Sequence, residues 1–248
     1  MRRVLKGLGI VAGLLLLLAA WPAWRLWGEL SKAASQDPRV WEDDIAALVE
    51  ATADGPNDHG AVLFVGSSSI RLWSTLHEDM APLDVVQHGF GGAKLADVEF
   101  FADELVTPFA PRGVVVFAGT NDIHPGRTKP PDVLLATWQR FVSRVRAGSP
   151  DVPIHFIGIT PSLMRWEVWP QAQETNRLIR EWNASQPGLS YIETGPALLG
   201  ADGTPDPDNY VFDGLHLSDR GYAIWTEAIR AHLAEPGALL PPRAAGDG

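Results

Sequence analysis

The sequence predicts an α/β domain built on a parallel sheet with helices on both faces. From Val40 onward, short apolar runs alternate with amphipathic stretches of helical spacing. The apolar runs are continuous rather than alternating, which indicates strands buried on both faces, as in parallel sheets covered by helices. A chain of 248 residues, 46% of them hydrophobic, is long enough for one packed domain with a short appendage.

The predicted elements alternate along the chain in the order expected for such a sheet. The strand candidates are Ala61–Val65, Val85–Gln87, Val114–Phe117, Ile154–Ile159 and Tyr191–Ile192. The helix candidates are Trp41–Ala51, Ala96–Leu105, Asp132–Arg146, Gln171–Trp182 and Ser218–Leu233, the last with Ser218 as its N-cap. Ligands of these sheets bind at the carboxyl ends of the strands, so a site is expected in the loops there.

An uncharged apolar run from Gly7 to Trp24 precedes the domain, with basic residues before it and Trp residues at its far end. A helix of this length nearly crosses a bilayer core of about 30 Å. We therefore predict one N-terminal transmembrane helix within residues 1–30, which anchors the domain outside the cytoplasm, in the periplasm or at the cell surface. A cleaved signal and a secreted protein are the alternative, but there is no convincing small-x-small cleavage site before the Trp-rich stretch, and Pro22 lies where cleavage would be expected. Residues 31–39 are then a linker, 40–235 the domain, and 236–248 a Pro-rich, poorly ordered tail.

Charge and cysteine usage exclude several classes of function. The net charge is −10, and the first 27 residues carry +4, which leaves −14 on the remainder. Binding to nucleic-acid phosphates requires Lys and Arg, so we predict no nucleic-acid partner for this acidic domain. The chain has no Cys, which excludes a disulfide framework, a thiolate metal site and a Cys nucleophile.

Four short polar or glycine-rich islands carry the candidate chemistry. Three follow strands and one precedes the last helix: Gly66-Ser67-Ser68-Ser69, Gly91-Gly92, Gly119-Thr120-Asn121-Asp122 and Asp213-Gly214-Leu215-His216. Alone, each has an ordinary explanation, because Ser caps helices and Gly, Asn and Asp form turns. Together they supply a hydroxyl nucleophile, donors for an oxyanion, a base and an orienting carboxylate.

The order Gly-x-Ser, Gly, Gly-x-Asn-Asp, Asp-x-x-His resembles the SGNH, or GDSL, hydrolase superfamily over most of the domain. The resemblance implies a flavodoxin-like, three-layer α/β/α domain with a doubly wound parallel sheet of about five strands. It implies ester hydrolysis without a metal or a cofactor. It also implies Ser68 as nucleophile, His216 as base and Asp213 as orienter, with the Ser68 and Gly92 backbone N–H groups and the Asn121 side chain as oxyanion donors.

One residue departs from the family pattern. The family usually has Asp before the nucleophile, whereas this chain has Ser67. The phrase Gly-Ser-Ser-Ser resembles a subgroup that carries this change, so activity is still expected. Alignment on Gly66 selects Ser68, and Ser67 and Ser69 are the fallbacks.

The substrate is less constrained by the sequence than the chemistry. Trp73 and the loop after the fourth strand are expected near the same sheet edge, where Arg165, Trp166 and Trp169 would line an acyl or sugar pocket. Alternatively, these Trp residues pack on the core. We thus predict a serine ester hydrolase acting on a small-molecule, lipid or acylated-glycan ester. A carbohydrate O-acetylesterase, or a binding protein on the same fold without turnover, is the alternative, and the oligomeric state is left open.

Overall fold

The computed structural model describes residues 31–53 and 60–242, together with Gly28. Its main sheet has five parallel strands, which are β1 (Val62–Gly66), β2 (Val85–Gly89), β3 (Gly113–Phe117), β6 (Ile154–Ile157) and β7 (Leu189–Ile192). Their spatial order across the sheet is β2-β1-β3-β6-β7. The short strands β4 (Ile123–His124) and β5 (Arg127–Thr128) form an antiparallel hairpin after β3.

Helices cover both faces of this sheet. They are α1 (Glu42–Ala53), α2 (Ser68–Arg71), α3 (Leu76–Met80), α4 (Leu95–Phe100), α5 (Ala102–Val106), α6 (Pro131–Gly148), α7 (Trp169–Ala184) and α8 (Asp219–Leu233). Along β1, Leu63 and Val65 face one apolar cluster with α1 and α4–α7, whereas Val62 and Phe64 face a second cluster with α2, α3 and α8. The predicted three-layer α/β/α arrangement is therefore confirmed.

The strand order determines where a ligand crevice opens. β1 pairs with β2 on one side and with β3 on the other, so the winding of the chain reverses between β1 and β3. Loops that leave the carboxyl ends of such neighbouring strands diverge to opposite faces and leave a crevice between them. The loops carrying Ser68 and Asn121 leave β1 and β3 at this point.

The structure corrects three details of the predicted elements. The predicted helix Ala96–Leu105 is divided into α4 and α5 at Phe101, whose backbone leaves helical geometry (φ −97°, ψ 17°) while its ring is buried in the core. The β4–β5 hairpin was not predicted, because two-residue strands are too short to show a periodic pattern. The tail is attached to the domain as far as Leu240, whose N–H donates to the Arg112 carbonyl (2.8 Å) and whose carbonyl accepts from Arg112 Nε (2.8 Å).

The amino-terminal part of the chain was predicted to contain a membrane segment and a linker. The predicted membrane segment, residues 7–24, lies outside the described residues. Among the residues that are described, no helix is long and apolar enough to cross a bilayer. Within the predicted linker, residues 31–34 are helical, and Pro38–Trp41 forms a 3-10 helix whose Trp41 ring is buried against Phe90 (ring centroids 5.5 Å apart).

Candidate active site

The turn between β1 and α2 presents the hydroxyl of one serine. Gly66 ends β1, and a Cβ there would lie 2.0 Å from the Phe117 carbonyl oxygen, so only glycine allows β1 to lie this close to β3. Ser67 and Ser69 are buried, whereas Ser68 at the start of α2 is partly exposed. Of the three adjacent serines, Ser68 is the one whose hydroxyl contacts His216.

Ser68, His216 and Asp213 form one continuous hydrogen-bonded chain. Ser68 Oγ lies 2.8 Å from His216 Nε2, and His216 Nδ1 lies 2.6 Å from Asp213 Oδ2. Because Nδ1 faces a carboxylate, the favoured tautomer carries its proton there and leaves Nε2 free to accept from the serine hydroxyl. The geometry is that of a nucleophile, a base and an orienting carboxylate.

Asp213 is itself held in place by the backbone of its own loop. Its Oδ1 accepts from the backbone N–H groups of Leu215 (2.9 Å) and His216 (3.0 Å). Partial burial acts to raise the pKa of Asp213, but the hydrogen bonds from the His216 side chain and from these two N–H groups outweigh it. The pKa of Asp213 therefore lies below its ordinary value, and the carboxylate stays charged at neutral pH.

The predicted oxyanion donors lie at the same sheet edge. Within the described residues, the backbone N–H groups of Ser68 and Gly92 donate to no acceptor. Gly92 adopts a left-handed conformation (φ +76°) after β2, and a Cβ there would lie 2.6 Å from the Cβ of Ala33. Gly92 does not line the depression around Ser68, whereas Asn121 does.

Arg165 holds Asn121 rather than simply lining a substrate pocket. Asn121 Oδ1 accepts from Arg165 Nη2 (3.3 Å), and Asn121 Nδ2 donates to the Ala93 carbonyl (2.9 Å), which leaves its second N–H free. Arg165 Nη1 also donates to the carbonyls of Thr120 and Ile123 (3.0 Å for the latter). Burial lowers the pKa of the Arg165 guanidinium, and nearby Asp122 opposes this. The loop after β6 thus braces the loop after β3.

Three predicted substrate-binding residues are not brought to the site. Trp73 is fully buried, stacks on Tyr222 (5.2 Å between centroids) and donates from Nε1 to Asp79 Oδ2 (2.6 Å). The prediction that it binds substrate is wrong, because the chain leaving α2 directs the ring into the layer beneath α8. Trp166 and Trp169 stack on each other (6.2 Å), and neither lines a cavity at the site.

Two adjoining cavities open at the site. A depression of about 10 Å³ adjoins Ser68 and is lined by Ser67, Ser69, Thr120, Thr160 and Ser162, together with the apolar residues Phe117 and Leu215. A wider groove of about 380 Å³ shares Asn121 with it and is lined further by Ala33, Ala34, His124, Pro125, Arg127, Met164 and Arg165. The buried hydroxyls of Thr120 and Ser162 make no hydrogen bond.

Thr120, Thr160 and Ser162 were not assigned to the site from the sequence. Thr120 lay within a recognised island, and Ser162 follows the fourth predicted strand, so position at a strand end was the available signal. No group of three or more His, Asp or Glu side chains able to hold a metal ion occurs in the part of the chain that the structure describes.

Known proteins resemble the chain in sequence and in fold. A model of the GDSL-like lipase/acylhydrolase family matches residues 51–224. The chain is 25% identical to human platelet-activating factor acetylhydrolase IB subunit alpha1 over 186 residues, 73% of this chain and 78% of that protein. A solved structure from Streptococcus pneumonia aligns with a TM-score of 0.70 at 18% identity, covering 88% of this chain and 98% of that one. A carbohydrate esterase family 3 structure from Talaromyces cellulolyticus aligns with a TM-score of 0.57 at 18% identity, covering 70% of this chain and 96% of that one. At these identities, the solved structures establish the fold alone.

Proposed function

The chain belongs to the GDSL-like lipase/acylhydrolase family, and on this premise we propose that it is a serine ester hydrolase with Ser68 as its nucleophile. The observation that carries the proposal is the unbroken chain from Ser68 Oγ through His216 to Asp213, with separations of 2.8 and 2.6 Å. A protein that only bound a ligand would need no hydroxyl aligned on an oriented imidazole.

The proposed mechanism has two steps. His216 Nε2 removes the proton of Ser68 as Oγ attacks the ester carbonyl, and Asp213 stabilises the imidazolium that forms. The imidazolium then protonates the departing alcohol, leaving an acyl group on Ser68. Water attacks this acyl-enzyme with His216 again as base, which releases the acid and restores the serine.

We propose that three donors stabilise the oxyanion in both steps. They are the backbone N–H of Ser68, the backbone N–H of Gly92 and the remaining N–H of Asn121 Nδ2. The first two have no acceptor within the described residues, and the third belongs to an amide whose orientation Arg165 fixes. Donors aimed in advance at a developing charge each contribute about a hundredfold or more to turnover.

We propose that the acyl group is short and that the alcohol occupies the wider groove. The depression beside Ser68 is small and mostly polar, so a long acyl chain would not fit inside it and would gain little from apolar burial there. The human relative is named as an acetylhydrolase and one structural neighbour as a carbohydrate esterase, which suits a short acyl group. A carbohydrate O-acetylesterase is therefore the second candidate, favoured over a long-chain lipase by the polar depression.

We further propose that the domain works outside the cytoplasm, tethered by residues 7–24. The apolar run, the basic residues before it and the Trp residues after it support a retained anchor. Release of a shortened chain from washed membranes would instead indicate a cleaved signal.

The decisive experiment compares hydrolysis of nitrophenyl acetate and nitrophenyl octanoate by the full chain in detergent. Ser68→Ala should lose at least about a thousandfold in kcat and all labelling by a fluorophosphonate. Ser74→Ala is the matched control, because Ser74 is a nearby exposed serine that lines neither cavity; it should keep most of the activity. The acetate ester should be the better substrate. Equal activity of Ser68→Ala and parent would refute the assignment of the nucleophile, and no activity or labelling in the parent would favour a binding protein.

A further inference from the structure

Large apolar side chains are exposed at the mouth of the active site. Leu163 (42%) and Met164 (52%) lie on the loop after β6, and Val211 (40%) and Phe212 (103%) directly precede Asp213. We call these four residues the apolar rim. The two loops are joined, since the Met164 N–H donates to the Gly214 carbonyl (2.9 Å). Contiguous exposed apolar side chains on one edge are typical of an interaction surface.

The chain enters the domain beside the apolar rim. Ala33 and Ala34 line the same groove as Met164, and Ala33 also covers Gly92. The apolar run of the sequence ends at Trp24, seven residues before Ser31. Seven residues span at most about 25 Å when fully extended. Whatever surface holds the apolar run therefore lies within about 25 Å of Ser31, which precedes the groove-lining Ala33 by two residues.

The charge beside the apolar rim suits a lipid surface. Arg127 lines the groove and is exposed, and its Nε donates to His124 Nε2 (3.1 Å). It forms no ion pair with any carboxylate in the described part of the chain, although the protein as a whole carries a net charge of −10. An unpaired cation next to exposed apolar side chains matches the boundary between anionic headgroups and acyl chains.

We propose that the apolar rim inserts into the surface of the bilayer that anchors residues 7–24, so that the active site opens onto the membrane and takes its ester from there. This inference rests on the proposed anchor and on the proposed hydrolase activity. Because the chain enters the domain at the groove that Met164 also lines, rotation of the domain about this entry point would bring the apolar rim to the surface. Amphipathic surfaces of this kind insert about 5–10 Å, to the boundary between headgroups and acyl chains.

The absence of Cys allows a direct test of insertion. Phe212→Cys in the full chain would carry a single environment-sensitive NBD label, and Asp151→Cys is the matched control, an exposed residue at the opposite edge of the sheet. Both proteins would be reconstituted into vesicles of phosphatidylcholine and phosphatidylglycerol, with and without doxyl-labelled lipid. We expect a blue-shifted, doxyl-quenched emission at position 212 and a water-like, unquenched emission at position 151. Equal emission at the two positions would overturn the proposal, and so would rapid 212–212 disulfide formation, which would indicate a second copy of the chain as the occupant.

Two further experiments distinguish a failure of the insertion proposal from a failure of the proposed hydrolase function. The labelling is repeated in a Ser68→Ala background, where insertion should persist without turnover, so loss of hydrolase activity alone leaves the measurement intact. Phe212→Ser should lose several-fold activity on a vesicle-embedded acetyl ester and little on dissolved nitrophenyl acetate. Phe100→Ser, which alters an exposed phenylalanine outside the apolar rim, should change neither rate. Equal losses of Phe212→Ser on both substrates would contradict insertion.

Discussion

Replacing Arg165 by methionine is expected to slow turnover, although we assign it no contact with the reacting atoms. The guanidinium donates to the side chain of Asn121 and to the carbonyls of Thr120 and Ile123. Methionine preserves most of the aliphatic stem but removes all of these donors. Without the contact to Oδ1, only the bond from Nδ2 to the Ala93 carbonyl holds the Asn121 amide, which then rotates more readily and presents an N–H to the oxyanion for less of the time. Arg165 therefore acts as a positioning residue.

The structure sets the size of the expected effects. A hydrogen bond from a charged donor contributes about 1.5–3 kcal/mol, but the Thr120 carbonyl keeps the backbone N–H of Ile123 as a partner. The free energy of unfolding should thus fall by about 2–4 kcal/mol rather than by the full sum. For turnover, the upper limit is the loss of the Asn121 donor, about a hundredfold to a thousandfold. Because the amide keeps its bond to Ala93, we expect a smaller loss in kcat, about tenfold to a hundredfold.

The assay is a double-mutant cycle on nitrophenyl acetate with Arg165→Met, Asn121→Ala and the double variant. If Arg165 acts through Asn121, adding Arg165→Met to Asn121→Ala should cost little further kcat. Thermal unfolding of each variant verifies that the measured protein is folded. Arg140→Met, which alters an exposed arginine on α6, is the control for loss of a positive charge. An equal loss of kcat from Arg165→Met in both backgrounds would refute the positioning role.

Three other predictions concern the orienting carboxylate, a core tryptophan and two buried histidines. Asp213→Asn should lower kcat about a thousandfold to ten-thousandfold in the nitrophenyl acetate assay, because an amide stabilises neither the required His216 tautomer nor the imidazolium; near-parental kcat would contradict this. Trp73→Phe should lower the melting temperature and leave KM unchanged, because the ring belongs to the core. A raised KM would instead indicate that Trp73 binds substrate. Burial lowers the pKa of both His88 and His155 to about 4, so the unfolded chain binds protons more readily than the folded one below about pH 6.5. The free energy of unfolding should therefore fall as the pH drops from about 6.5 to 4, by about 3 kcal/mol for each of these histidines, and urea unfolding at pH 7.5 and 4.5 would show it; a flat profile would argue against neutral burial.

The sheet was predictable because its strands are buried on both faces. Continuous apolar runs such as Val114–Phe117 admit few other interpretations, and the observed strand differs from it by one residue. Where tertiary contacts determine the backbone conformation, the sequence pattern was insufficient to predict it. The pattern of apolar residues is helical on both sides of Phe101 and gives no sign of the break there. The tail is held by Arg112, a residue more than a hundred positions away in sequence.

The site was predictable where a residue acts through its own chemistry. Ser68, Asp213 and His216 stand in motifs that place a hydroxyl, a carboxylate and an imidazole at strand or helix ends, and the structure brings them together. Arg165 was predicted to line a pocket, and it does line the wider groove, but its contacts with the loop after β3 were not predicted, because they join it to carbonyls and an amide some 44 residues away in sequence. The prediction that Trp73 binds substrate was wrong because it relied on closeness to Ser68 along the chain. That closeness does not determine the direction in which the ring points.

The contrast between the two cavities indicates where the specificity of the site should lie. We assign the acyl group to the depression of about 10 Å³, which has no room for further methylenes, so these would remain in water and gain none of the ~0.8 kcal/mol that burial of each contributes. We assign the alcohol to the adjoining groove of about 380 Å³, which is bounded by the entering chain at Ala33 and by Met164 of the apolar rim. A site with this shape restricts the acyl group by size and tolerates variation in the alcohol. On the proposed tether, the mouth of the site lies close to the membrane, so we expect access to the groove, rather than fit within it, to select among alcohols.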